Sequence, residues 1–121
     1  MEFTGLTAAF YDNVPIASID MGDWAGHRYR YIDVKYAGRT ARVAAWDACA
    51  DADCPDGTSC CTDNKQRFSK PGYLIDVEAR TAKRLFNVDN AAQTLLDRVE
   101  YRVCERFDPD AIARRYGARR N

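Results

Sequence analysis

Four of the five cysteines in this 121-residue chain, Cys49, Cys54, Cys60 and Cys61, fall within thirteen residues. They sit in the stretch WDACADADCPDGTSCCTDN, residues 46–64. The surrounding segment, 48–72, is rich in Asp, Gly, Pro and Ser and carries no helical or strand periodicity. A structureless loop of that length is uncommon inside a compact domain and is usually functional, stapled or both. Clustered cysteines also point to an oxidising compartment. The chain is therefore expected to fold around a long disulfide-stapled loop. Five cysteines cannot all pair within one chain, so one is expected to be unpaired.

Other chemistries fit the stretch less well. A helix–loop–helix calcium site needs oxygen ligands at positions 1, 3 and 5, Gly at 6 and Glu at 12. Starting from Asp51 and Asp53, Asp56 and Gly57 each fall one place late, and position 12 is Thr62. Zinc favours paired short spacings, whereas these cysteines are spaced by five, six and one, and adjacent cysteines rarely ligate one tetrahedral ion. A catalytic thiol needs a base partner. The only histidine, His27, is far away in sequence. No metal and no cofactor are expected.

Size and charge narrow the rest. One domain is the natural expectation at this length, with a core of useful size. Eighteen basic and eighteen acidic residues cancel, which argues against a dedicated nucleic-acid binder. No apolar run approaches the length of a membrane span. Met1-Glu2-Phe3 reads as a start followed by a translated cloning site, so a secretory leader is expected to have been trimmed.

Along the chain, 5–11 reads as a strand ended by Asp12-Asn13, 16–19 as a second, and 22–26 as loop. The clearest strands are 29–36 and 40–46, joined at Ala37-Gly38. A two-residue turn would pair Ile32 with Val43 and Val34 with Ala41, while a bulged three-residue turn would shift that register. Further on, 73–77 reads as a strand, 78–86 as an amphipathic helix, 91–96 as a helical turn and 99–104 as a strand. Asp108-Pro109 signals a helix start, with a short basic helix over 111–116.

Three segments then carry a resemblance: YIDVKYAGRTARVAAWDAC over 31–49, YLIDVEARTAKRLF over 73–86 and VEYRVC over 99–104. Their order and spacing, with Ala8-Ala9-Phe10-Tyr11 upstream, resemble the expansin, barwin and rare-lipoprotein-A superfamily. The resemblance implies a mostly β fold, a six-stranded double-psi β-barrel with short helices and the long stapled loop. The barrel would span 4–107, with 108–121 as a basic C-terminal helix and tail. It also implies a disulfide from Cys49 to Cys104. A second pair would lie among Cys54, Cys60 and Cys61, most simply Cys54 with Cys60 or Cys61.

In expansins an aspartate of the Asp-x-Cys motif and one on the later strand face an open polysaccharide groove. Those positions match Asp47 and Asp76, while Ala9 replaces a threonine of the family's first strand. Sugar grooves combine aromatic platforms with hydrogen-bond acceptors. The candidate platforms are Tyr11, Trp24, Trp46 and Tyr73, although ideal strand alternation turns Trp46 away from Asp47. The resemblance thus implies a secreted, non-hydrolytic binder of cell-wall polysaccharide. Two alternatives stay open. Phe10-Tyr11-Asp12 is similar to the first strand of family-45 glycoside hydrolases, which would make Asp12 the general base and Asp76 the general acid of an inverting enzyme. Small relatives also act as defence proteins or inhibit cysteine proteases through loops such as 50–72.

Overall fold

The computed structural model describes residues 2–63, 74–88 and 100–121. In chain order the elements are β1 (Phe3–Thr4), α1 (Ala8–Asn13), β2 (Ile16–Asp20), α2 (Met21–His27), β3 (Arg30–Tyr36) and β4 (Arg39–Cys49). Then come β5 (Ile75–Val77), α3 (Ala79–Phe86), β6 (Glu100–Arg106), α4 (Pro109–Arg115) and β7 (Arg119–Arg120). Between β4 and β5 the chain makes two 3-10 turns, Asp51–Asp53 and Pro55–Gly57, and residues 60–63 are helical. The expected platform Tyr73 and helical turn 91–96 lie outside the described residues.

The β3–β4 hairpin takes the two-residue turn. Ala37 and Gly38 both adopt positive φ, +50° and +78°, as the turn that matches strand twist requires. Ile32 faces Val43 and Val34 faces Ala41. From this hairpin a five-stranded sheet grows in the order β5-β2-β4-β3-β6. β2 runs parallel to β4, and the other neighbours are antiparallel. β1 and β7 form a separate two-stranded ribbon. Among the described residues β5 and β6 are the ends of the larger sheet, with no pairing that closes it. The architecture is a β-rich α/β arrangement with short helices.

Alternation sorts the strands into two cores. Ala17, Ile19, Ile32, Val34, Val43, Ala45, Ile75 and Val77 meet in one buried cluster, which Ala82 and Phe86 of α3 also join. Each large aliphatic group buried there contributes about 1.5–3 kcal/mol. A one-residue slip would turn the whole set to the other face, so the register is strongly held. The second cluster gathers Phe3, Phe10, Val14, Ile16, Tyr29, Trp46, Ala113 and Ala118. The C-terminal segment 108–121 is thus built into the packing, through Ala113 of α4 and the β7–β1 ribbon.

Two local expectations are corrected. Residues 8–13 form a helix, not a strand. Thr7 caps it by accepting a hydrogen bond from the Phe10 N–H at 3.4 Å, and the Asn13 side chain donates to the Ala9 carbonyl at 2.7 Å. Ala8 and Ala9 add helix propensity, and Phe10 alone is buried. The stretch 22–26 lies in a helix rather than a loop, because Asp20 ends β2 and accepts from the Gly22 N–H at 2.8 Å as the helix cap.

On the outward side, Asp33 is clasped across strands. Its carboxylate meets Arg42 at 2.8 Å and Arg102 at 2.8 Å, and Arg42 also reaches Glu105 at 2.7 Å. The Arg42 and Arg102 hydrogen bonds hold the Asp33 carboxyl far below the usual range. A depressed carboxylate contributes stability above its unfolded-state pKa of about 3.9, and that contribution is lost as pH falls through the lower folded value. Urea unfolding followed from about pH 6 to about pH 2 should therefore show stability declining below about pH 4. In Asp33→Asn the acid decline should be shallower; an unchanged profile would remove Asp33 as its source.

Candidate functional site

The site begins with strand register. Ser18 at the middle of β2 faces Asp47 on β4 and Asp76 on β5. Three polar residues thus stand in one row across three strands. The outer two Cα atoms are about two strand spacings apart, roughly 10 Å. Asp47 reaches this row through an irregularity. Ala17 pairs with Ala45, but the next residue, Ser18, pairs with Asp47, so Trp46 is the extra residue of a β-bulge. Ideal alternation would set Trp46 and Asp47 on opposite faces. The bulge instead brings Asp47 to the face of Ser18 and Asp76.

That face opens as a cleft of about 260 Å³ whose lining includes Tyr11, Ser18, Asp47, Asp76 and Glu78. It adjoins a second depression of about 220 Å³, which shares Ser18 and Asp76 and runs to Cys49, Cys54, Cys60 and Cys61. One Asp47 oxygen accepts from the Ala48 N–H at 2.9 Å. Glu78 caps α3, accepting from the Thr81 N–H at 3.1 Å. Arg80 touches two of the lining residues, Tyr11 and Glu78. Its guanidinium lies 5.7 Å from the Tyr11 ring centre, 3.3 Å from Asp12 and 3.7 Å from Glu78. It links α1 to α3 through the ring and carboxylates it meets.

The structure therefore brings together Tyr11, Asp47 and Asp76, and leaves other candidates elsewhere. Trp46 is fully buried, packed against Phe3, Phe10 and Tyr29 and stacked on Phe107 at 5.5 Å. It belongs to the core and is corrected as a platform, since no part of it reaches solvent. Trp24 is half-buried on α2, edge-on to Tyr29 at 5.2 Å, and is not among the cleft-lining residues. Asp12 sits on α1, exposed and paired with Arg80, also outside that lining. Ala9 is exposed on α1. The hydroxyl between the two aspartates comes from Ser18, a residue the sequence reading missed. Its one signal is a lone polar position within the apolar run 16–19.

The disulfides are Cys49–Cys61 and Cys54–Cys60. The pairing of Cys49 with Cys104 is corrected, and Cys104 is the unpaired cysteine. The register explains why. β6 reaches β4 only across β3, and Cys104 lies near Tyr31, which pairs with Ala44. Cys49 stands five positions further along β4. Two strand spacings and that rise exceed the roughly 7 Å limit on Cα separation in a disulfide. Cys49 and Cys61 have Cα atoms 5.8 Å apart.

No helix among the described residues is long and apolar enough to cross a membrane. No protein-family model, no curated protein and no solved structure matches this chain.

Proposed function

We propose that the cleft binds cell-wall polysaccharide without cleaving it, in a secreted protein of the expansin-like type. The observation that carries this reading is the row Asp47–Ser18–Asp76 in one open cleft beside the Tyr11 ring. Carboxylates accept hydrogen bonds from sugar hydroxyls, the serine donates or accepts, and an aromatic ring covers the apolar face of a sugar. Two adjoining depressions that share Ser18 and Asp76 suit a chain of sugar units more than one compact ligand. Two disulfides agree with an oxidising compartment. The double-psi barrel is the finer architecture the resemblance implies. Its support is that β2, β3, β4 and β5 all direct alternate apolar residues into one core, with Tyr101 of β6 packed against it.

The test is retention on insoluble cellulose, chitin and peptidoglycan. The wild-type chain is expected to be retained on at least one. Asp76→Asn and Asp47→Asn should each weaken retention by about tenfold to a hundredfold, the scale of a hydrogen bond to a charged acceptor. Retention on none of the three, or retention indifferent to both substitutions, would sink the proposal. Release of reducing sugar that vanishes in Asp12→Ala would make the protein a hydrolase. Inhibition of papain unaffected by Asp47→Asn would make it a protease inhibitor.

A further inference from the structure

Two structural disulfides require only that each cysteine face its own partner. Here three of the four sulfurs converge, and the fourth is bonded to one of them. Cys49 ends β4, Cys54 lies between the two 3-10 turns, and Cys60 and Cys61 begin the helical residues 60–63. The sulfurs of Cys54, Cys60 and Cys61 lie within 4.8 Å of one another, and that of Cys49 is bonded to Cys61. Across the two bridges, the Cys54 sulfur lies 4.0 Å from that of Cys61. In a tetrahedral zinc tetrathiolate with Zn–S near 2.3 Å, neighbouring sulfurs stand about 3.8 Å apart. The objection that adjacent cysteines seldom serve one ion is met by the geometry. The chain turns so that Cys60 reaches toward Cys54 while Cys61 reaches toward Cys49.

We propose that, once reduced, these four cysteines form a tetrathiolate site for a divalent ion of zinc type. Each disulfide takes two electrons and two protons from a dithiol reductant, which is itself oxidised to a disulfide. Two such exchanges yield four thiols. Binding one Zn²⁺ then releases four protons to solvent and forms four Zn–S bonds. The loop also has a clasp that does not depend on sulfur. The Asp51 carboxylate accepts from the Thr62 N–H at 3.0 Å and from the Thr62 hydroxyl, joining residues close to Cys49 and Cys61. Cys61 is buried, so much of the site is sheltered from water. The same loop is thus closed either by two covalent bridges or by one ion. This inference is independent of the polysaccharide reading.

The experiment uses the full chain, reduced without oxygen by a phosphine, which becomes its oxide with oxygen taken from water. Co²⁺ is the probe. The reduced chain should develop sulfur-to-cobalt charge-transfer absorption and the strong visible bands of a tetrahedral site, saturating at one Co²⁺ per chain and displaced by Zn²⁺. One thiol, Cys104, should stay reactive in the metal-bound form. Cys104→Ser should keep the spectrum, and Cys54→Ser should weaken binding by at least about tenfold, since even outer-shell changes cost that much. The oxidised chain should show no such bands. Their absence from the reduced wild type would overturn the site. So would equal weakening by Cys54→Ser and Cys104→Ser, which is how an unfolded chain with scattered thiols would behave.

Discussion

Trp46→Ala is expected to lower the unfolding free energy by about 3–5 kcal/mol, the range for emptying a large aromatic site in a core. Four rings depend on it. Phe3, Phe10 and Tyr29 meet the indole at 5.2, 5.1 and 6.1 Å, and Phe107 stacks on it. These rings come from β1, α1, the turn before β3 and the residue after β6. A cavity here would loosen the packing of the whole second cluster. Domains of this class have only about 5–15 kcal/mol of stability, so the melting temperature should fall on the order of 10–20 °C. Trp46→Phe keeps much of the ring area and should cost far less. It also separates packing from recognition. The folded Trp46→Phe chain should be retained on polysaccharide as well as wild type, because the indole does not reach the cleft. A stability loss under about 1 kcal/mol for Trp46→Ala would mean that the indole is not a core group. Lost retention in a stable Trp46→Phe chain would restore it as a sugar platform.

The sequence was legible where structure is local. The β3–β4 hairpin follows from alternating apolar residues on both arms and a Gly in the turn, and its register follows from loop length. The helix expected over 78–86 follows from its apolar stripe, and the structure starts it one residue later because Glu78 serves as its cap. The run 5–11 misled because short apolar runs fit either period. The deciding signals, Thr7 as a cap and Asn13 at the far end, are single residues. Pairing between distant segments was not legible. Whether Ser18 stands between Asp47 and Asp76 depends on a parallel β2–β4 register and a bulge at Trp46, neither of which leaves a local mark. The two aspartates were found through resemblance rather than pattern. The same resemblance misassigned Cys49, because disulfide connectivity cannot be read from cysteine positions alone.

Connectivity is also what the second large effect tests. Replacing Cys49 and Cys61 together by alanine should destabilise the chain by about 2–4 kcal/mol. The bridge closes a loop of sequence separation 12, for which chain entropy alone accounts for roughly 3 kcal/mol. It also ties the end of β4 to the helical residues 60–63, so its loss frees one wall of the depression that adjoins Asp76. Retention on polysaccharide should therefore fall along with stability. Replacing Cys54 and Cys60, which close the smaller nested ring of separation 6, should cost less, about 2 kcal/mol by the same relation. Cys104→Ser is the decisive companion. The thiol is half-exposed on β6, where it donates to the Arg102 carbonyl at 3.4 Å and adjoins the Asp33 and Arg102 side chains; serine keeps a donor there, so its change should stay within about 0.5 kcal/mol, as for ordinary surface positions. A cost of several kcal/mol for Cys104→Ser, with little for the Cys49 and Cys61 pair, would reverse the assignment. Cys49 would then be bonded to Cys104, and the end of β4 would have to lie beside β6 instead of beside the loop.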